Sequence, residues 1–228
     1  MRHLNKYDLF KVNEADEAKN QEAKSDDPKR SERLLTQAQK EHKDSPESKE
    51  KSGPMPAMVF TDVVGSSKMW SEDPITMAQQ LEGHHKLVDA IAENNKGWIV
   101  KTIGDAFMVY FEPSEDSLFN AVKFAKEVIL GEKSYNLRVG VCQGNMDQKT
   151  YSLQKVELKD FFGNAVNAAS RMESKVSEEG GTIAFCSIKP IDNKMDKIKT
   201  LGSTIPVDLS KYDLRGATVQ KAYKMKVK

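Results

Sequence analysis

The sequence predicts an α+β fold in which helices pack on a mixed β-sheet. Two observations favour this class. Short runs rich in β-branched and aromatic residues, typical of strands, interleave with longer segments whose apolar residues recur at helical spacing. The run from Ile99 to Phe111 also folds back at Gly104-Asp105, which predicts a hairpin of two sheet strands. The predicted order of elements is β-α-α-β-β-α-β-α-β.

The first predicted strand runs from Ala57 to Asp62, and a loop of small residues follows it. A short helix over 66–70 comes next, then a longer helix after Pro74, where proline suits the first helical turn. The apolar side of the longer helix is a single stripe formed by Met77, Leu81, His84, Leu87, Val88 and Ile91. In the second arm of the hairpin, alternation puts Phe107, Val109 and Phe111 on one face and Met108 and Tyr110 on the other.

The second half of the chain continues the alternation of helices and strands. An amphipathic helix is predicted over 114–130 with Ser114 as its N-cap. The remaining predictions are a strand over 136–142, a polar loop or hairpin arm over 145–159, a helix over 163–178 that stops at Gly180-Gly181, and strands over 182–186 and 219–227. In the last strand, Val219, Tyr223, Met225 and Val227 are expected on one face.

Composition divides the chain of 228 residues into two parts. Residues 1–55 are rich in Lys, Glu, Asp and Ser and carry too few apolar groups to offset the entropy of ordering, so this charged segment is predicted to be disordered. Residues 56–228 are predicted to form one folded domain. The net charge of +1 argues against nucleic acid as a partner.

The cellular compartment is inferred from the cysteines and from apolar stretches. Cys142 and Cys186 lie in apolar, strand-like runs without the spacing of metal ligands, so we expect buried free thiols and a reducing compartment. No stretch has the apolar length of a membrane span, and the first residues lack the apolar core of a signal peptide. A cytoplasmic location is therefore expected.

Two acidic residues indicate the chemistry. Asp62 ends the first apolar strand, and Asp105 lies at the tip of the hairpin. If the strands are neighbours in one sheet, the two carboxylates approach each other and repel unless a cation lies between them. Their hard oxygen atoms suit Mg²⁺ or Mn²⁺, which indicates chemistry on a phosphate ester.

A second polar pair lies in the helix predicted over 163–178. Asn167 and Arg171 are four residues apart, so they share one helix face. An amide beside the fixed donor fork of a guanidinium suits a sugar-phosphate ligand.

Together these stretches resemble the catalytic domain of the class III adenylyl and guanylyl cyclases over about residues 57–186. The matching stretches are Phe60-Thr-Asp-Val-Val-Gly-Ser-Ser67, Lys101-Thr-Ile-Gly-Asp105, Leu137-Arg-Val-Gly140 with Gly144, and Asp160-Phe-Phe-Gly-Asn-Ala-Val-Asn-Ala-Ala-Ser-Arg171. The first stretch, with Trp70 after it, is more similar to protozoan and some bacterial members than to mammalian ones. The resemblance implies a ferredoxin-like, palm-type sheet.

The resemblance also implies a metal and phosphate site. Asp62 and Asp105 would hold two Mg²⁺ or Mn²⁺ ions, with the carbonyl of Val63 as a further ligand. The backbone amides at Gly65 and Ser66 would bind the triphosphate.

Five further residues take substrate roles by the same resemblance. Lys101 and Asp160 would read the purine, Asn167 would orient the ribose, and Arg171 would stabilise charge on the α-phosphate. Arg215 is the candidate for the basic residue that contacts the terminal phosphates.

The implied enzyme is an adenylate cyclase in cyclic nucleotide signalling, which converts ATP to 3′,5′-cyclic AMP and pyrophosphate by two-metal catalysis. In the family the two aspartates come from one chain, and the purine-reading pair, the asparagine and the arginine come from the other. A head-to-tail homodimer with two equivalent sites is therefore expected. Three alternatives stay open: a guanylate cyclase, a catalytically silent cyclase-like dimer that regulates a partner, and another palm-type polymerase or cyclase.

Overall fold

The computed structural model describes residues 53–153 and 156–228. The predicted disordered segment therefore lies outside the described residues, apart from Gly53 to Met55. Met55 is buried, and its carbonyl accepts hydrogen bonds from the Ser117 hydroxyl (2.6 Å) and the Gln143 amide (3.4 Å).

The described chain contains nine strands, five α-helices, one π-helix and one 3₁₀ helix. In chain order these are β1 (Ala57–Val63), α1 (Ser66–Glu72), α2 (Pro74–Asn94), β2 (Gly97–Ile103), β3 (Ala106–Phe111), α3 (Ser117–Gly131), β4 (Leu137–Gln143), β5 (Asp147–Leu153), β6 (Val156–Phe162), α4 (Asn164–Arg171), the π-helix (Met172–Val176), β7 (Thr182–Ser187), α5 (Asp192–Lys199), β8 (Ile205–Pro206), the 3₁₀ helix (Leu209–Lys211) and β9 (Lys221–Lys226).

Seven strands form one mixed sheet in the order β2-β3-β1-β4-β7-β9-β8, and β5 pairs with β6 in a separate antiparallel hairpin. Within the large sheet β4 and β7 run parallel, and the other neighbouring strands run antiparallel. The predicted α+β class is confirmed. Of the two possibilities for residues 145–159, the hairpin arm is the one observed, and it continues to Phe162.

Helices cover both faces of the large sheet. On one face α2, α3 and α5 pack on side chains that include Val59, Phe107 and Val109. On the other face α4 and the π-helix pack on Met58 and Met108, among others. The alternation predicted for the hairpin is therefore confirmed, and each face of the sheet has its own apolar core.

Several details differ from the predictions. Helix α3 begins at Ser117 rather than near Ser114, whose carbonyl accepts from the Ser117 amide in the preceding turn (3.2 Å). Val219 packs against the opposite core from Tyr223, because β9 begins only at Lys221 and alternation does not extend back to Val219. Helix α5 and the short β8 were not predicted.

Cys142 and Cys186 are free and buried, and they face each other across the parallel pair β4 and β7. Within residues 53–153 and 156–228, no helix has both the length and the apolar character needed to cross a membrane.

Candidate active site

The two predicted metal-binding aspartates lie at the same end of two neighbouring strands of the large sheet. Strands β1 and β3 pair with Thr61 opposite Phe107, so Asp62 lies next to the turn that contains Asp105. Asp105 is buried, and its Oδ2 accepts a hydrogen bond from the backbone amide of Val63 (3.3 Å). The turn needs a left-handed residue, which Gly104 supplies with φ of 64°.

The chemistry at this end of the strands fits a hard divalent cation. Two carboxylates lie close to Val63 in the chain or in space, and the backbone amide of Val63 donates to the buried Asp105. In the part of the chain that the structure describes, no group of three or more His, Cys, Asp or Glu side chains is placed to hold a metal. A cation here would therefore depend on Asp62, Asp105 and backbone oxygen atoms.

Arg138 belongs to this cluster, although the sequence reasoning gave it no role. It lies opposite Asp62 on the neighbouring strand β4. Its Nε and Nη2 both donate to Oδ2 of Asp62, at 3.1 and 2.5 Å. Burial disfavours its charge, but Glu173 and Asp62 more than offset this and raise the pKa of Arg138. Among the residues that the structure describes, the hydrogen bonds and ion pairs of Asp62 all go to Oδ2, which leaves Oδ1 for a cation.

Glu173, also missed, contacts the same guanidinium. Its Oε1 lies 2.5 Å from Arg138 Nε, yet the single Nε hydrogen points to Asp62, so this contact is an ion pair without a hydrogen bond to Oε1. Burial raises the pKa of Glu173 to about 7, opposed by Arg138 and reinforced by the negative Asp62. The available sequence signal was a lone arginine inside an otherwise apolar strand.

Lys101 and Asp160, the predicted purine-reading pair, are also brought together. Lys101 Nζ lies 2.5 Å from Asp160 Oδ2, and this contact joins β2 to the arm strand β6. Oδ1 of Asp160 accepts from the backbone amide of Phe161 (2.9 Å). Phe161 in turn stacks on Tyr110 with ring centroids 4.3 Å apart, which fixes β6 against the sheet.

Asn167 and Arg171 lie one turn apart on α4, on the side away from the sheet. Asn167 is exposed and Arg171 is half-buried, while Ala165 and Ala169 bury the opposite side of the helix. The side-chain amide of Asn167 donates to the carbonyl of Gly216 (3.3 Å). Asn167 therefore lies at the surface, and Arg171 is partly accessible one turn away.

Gly65 forms the turn between β1 and α1. Its φ of 79° lies in the left-handed region, where a side chain would be strained. Its carbonyl accepts from the amides of Lys68 and Met69, so the helix starts at Ser66. The first amides of a helix have no acceptor within that helix, which makes this turn suitable for an anion.

Arg215, the predicted contact of the terminal phosphates, lies at the surface. Its side chain is 83% exposed, and its Nε donates to Asp213 (2.6 Å). The next residue is Gly216, whose carbonyl receives the Asn167 amide. Arg215 therefore lies in the loop beside Asn167, with its guanidinium at the surface.

The site residues form two sets within one chain. Asp62, Asp105, Arg138 and Glu173 lie together around Val63 and make up the first set. The predicted substrate residues make up the second set: Lys101 pairs with Asp160, Asn167 contacts Gly216 next to Arg215, and Arg171 lies one turn from Asn167. Among the described residues, the hydrogen bonds and ion pairs do not join a side chain of the first set to one of the second.

Comparison with known proteins identifies relatives of this arrangement. A family model described as the adenylate and guanylate cyclase catalytic domain matches residues 49–185. The chain is 34% identical over 203 residues to the receptor-type adenylate cyclase GRESAG 4.1 of Trypanosoma brucei brucei, covering 68% of this chain and 16% of that protein. It is 28% identical over 168 residues to an adenylate cyclase of Schizosaccharomyces pombe, covering 61% of this chain and 10% of that protein. The chain thus spans only a small part of these relatives.

Solved structures share the fold. The catalytic core of a rhodopsin-guanylyl cyclase with converted specificity, in complex with ATPαS, aligns with a TM-score of 0.63 at 26% identity, covering 79% of this chain and 100% of that chain. A Trypanosoma brucei adenylate cyclase in its monomeric state aligns with a TM-score of 0.62 at 22% identity, covering 79% and 93%.

Proposed function

Since this chain belongs to the adenylate and guanylate cyclase catalytic domain family, we propose that it is an adenylate cyclase acting in cyclic nucleotide signalling. The observation that carries the choice of ATP is the contact between Lys101 and Asp160. A lysine donor beside a carboxylate acceptor matches the ring acceptor and amino donor of adenine, and guanine presents the reverse pattern. The named relatives GRESAG 4.1 and the fission yeast enzyme are adenylate cyclases, which supports the choice.

The proposed reaction is an internal displacement. The ribose 3′-hydroxyl loses its proton to solvent and bonds to the α-phosphorus, while the bond from that phosphorus to the oxygen that bridges to the β-phosphate breaks and pyrophosphate leaves. Asp62, Asp105 and the Val63 carbonyl would hold two Mg²⁺ or Mn²⁺ ions, which would supply positive charge and lower the pKa of the hydroxyl.

The chain's own groups bind and orient ATP in this proposal. The amides at Gly65 and Ser66 bind the triphosphate, and Asn167 orients the ribose. Arg171 stabilises the negative charge that develops on the α-phosphate, and Arg215 contacts the terminal phosphates.

The two separate sets of residues support a head-to-tail homodimer. In such a dimer, the aspartates of one chain and the Asn167 and Arg171 pair of the other complete each site. The arm formed by β5 and β6 exposes three large apolar side chains, Tyr151 (41%), Leu158 (47%) and Phe162 (41%), which a second copy of the chain would cover. A monomer would have incomplete sites and is expected to be inactive.

Product identification tests the proposed function. Purified protein is incubated with ATP or GTP, with Mn²⁺ or Mg²⁺, and the products are identified by mass spectrometry. We expect cyclic AMP from ATP, a loss of about 10²-fold or more in kcat/KM for Arg171→Ala, and a reduced preference for ATP in Lys101→Glu. Lys226→Glu reverses an exposed charge on β9 and serves as the matched control, expected to be active.

Two results would contradict the proposal. Cyclic GMP as the main product would assign a guanylate cyclase. A folded dimer that makes neither cyclic nucleotide would favour the silent regulatory module.

A further inference from the structure

Three charged side chains form a continuous chain at the edge of the candidate metal site. Arg138 lies between Asp62 of β1 and Glu173 of the π-helix. All three are largely covered, with side-chain exposures of 27% for Arg138, 24% for Asp62 and 10% for Glu173. Withdrawing charges from water is unfavourable, and a buried ion pair seldom adds net stability. Net stability therefore does not account for Glu173 at this position.

The fold brings Glu173 to this position through a close helix-to-sheet contact. Gly140 lies two residues after Arg138 in β4, on the same face of the strand. A Cβ atom at Gly140 would overlap the Glu173 amide nitrogen and the Ala169 carbonyl oxygen, and would lie 2.7 Å from the Glu173 Cα. The π-helix backbone thus rests directly on β4, which lets the Glu173 side chain reach Arg138.

The contacts of Arg138 divide its positive charge between two carboxylates. Its Nε and Nη2 donate to Oδ2 of Asp62, and the same Nε lies 2.5 Å from Oε1 of Glu173. Without Glu173, the full charge of the guanidinium would act on Asp62 and compete with a cation for that carboxylate. The guanidinium would also lose the contact that fixes its orientation.

We propose that Glu173 is a positioning residue for the metal site, which holds Arg138 against Oδ2 of Asp62 and leaves Oδ1 for the divalent cation. This inference rests on the proposed function only through the metal-binding role of Asp62. Glu173 also follows Arg171 by two residues, in the continuous helical segment formed by α4 and the π-helix. The same contact therefore connects the metal-binding half of the chain to the half that carries Asn167 and Arg171.

Binding of Mn²⁺ alone, followed by electron paramagnetic resonance on the whole nucleotide-free protein, tests this inference. At about pH 8, where Glu173 is ionised, we expect Glu173→Gln to raise the Kd for Mn²⁺ about tenfold, as for other groups that orient metal ligands. Glu173→Asp keeps the charge on a shorter side chain and should give an intermediate Kd. Glu178→Gln, an exposed neighbour, is the control and should match the wild type.

The controls separate the possible failures. Wild-type Mn²⁺ affinity in Glu173→Gln, with or without a lower melting temperature, would overturn the inference, because a purely structural role would change only the melting temperature. If Glu173→Gln does not fold, Glu173→Asp decides: weakened affinity supports the positioning role, and wild-type affinity overturns it. Binding in the wild type that Asp62→Asn does not abolish would instead refute the metal site itself, and the inference with it.

Discussion

Glu173 shows how burial and neighbouring charge together set the behaviour of one side chain. Burial raises its pKa from an ordinary value of 4.5 to about 7, although Arg138 favours the ionised form. The folded protein therefore keeps this proton to about pH 7, while the unfolded chain releases it near pH 4.5. The contribution of Glu173 to stability is full below the lower value and is lost as the pH rises through the higher one.

This difference predicts a measurable pH dependence of stability. Between about pH 5 and about pH 8, the free energy of unfolding of the wild type should fall by about 1–3 kcal/mol relative to Glu173→Gln, measured by urea denaturation with chelator present. The comparison cancels the titration of other groups. A constant difference between the two proteins across this range would show that Glu173 titrates normally.

Asp105 provides a second test at the level of one residue. Asp105→Asn keeps the shape and the oxygen that accepts from the Val63 amide, but removes the negative charge. We expect cyclase activity to fall by about 10²-fold or more, because a neutral amide is a poor ligand for Mg²⁺ or Mn²⁺, with little change in melting temperature. Asp89→Asn, at an exposed position on α2, should leave both quantities unchanged. An active Asp105→Asn enzyme would exclude the carboxylate from the chemistry.

The packing of α4 and the π-helix on β4 brings Glu173 close to Arg138. Gly140→Ala would force the Glu173 amide and the Ala169 carbonyl away from the sheet. We expect a loss of about 1–3 kcal/mol in the free energy of unfolding, typical of overpacking. Gly83→Ala is the matched control: a Cβ there has open space and the site is inside α2, so we expect a gain of about 0.5–1 kcal/mol. Equal effects at the two glycines would contradict the close contact.

Most elements could be predicted because their apolar residues follow the period of a helix or a strand. Helix α5 could not, since Met195 and Ile198 are its only buried residues and the segment around them is polar. The π-helix was predicted as a continuation of an ordinary helix. No residue type marks the change from α-helical to π-helical hydrogen bonding. In the structure, the π-helix is the segment whose backbone packs against Gly140.

The sequence likewise predicts only part of the candidate site, because some of its contacts depend on the whole fold. Asp62, Asp105, Lys101, Asp160, Asn167 and Arg171 could be proposed because four stretches of the sequence resemble the cyclase family. The contact of Arg138 with Glu173 could not, because it joins residues far apart in sequence whose proximity depends on strand register and on helix packing. Residue type indicated the chemistry, and only the fold showed which groups touch.

The proposed dimer makes a prediction about the arm formed by β5 and β6. Leu158→Asp places a charge within its exposed apolar group, so we expect the mutant to be a monomer by light scattering and to lose most of its activity. Leu130→Asp, at a side chain of similar exposure on α3, is the control and should remain a dimer. An active, dimeric Leu158→Asp protein would place the interface elsewhere.

Mixing two inactive variants tests whether each active site is shared between two chains. Asp62→Ala lacks the metal half, Arg171→Ala lacks the half that stabilises the transition state, and each should be inactive alone. In a mixed dimer one of the two sites contains only intact residues, so random re-association should restore about a quarter of wild-type activity. That recovery would establish a site built from both chains. Mixed dimers that form, as shown by differently tagged chains, yet stay inactive would contradict it.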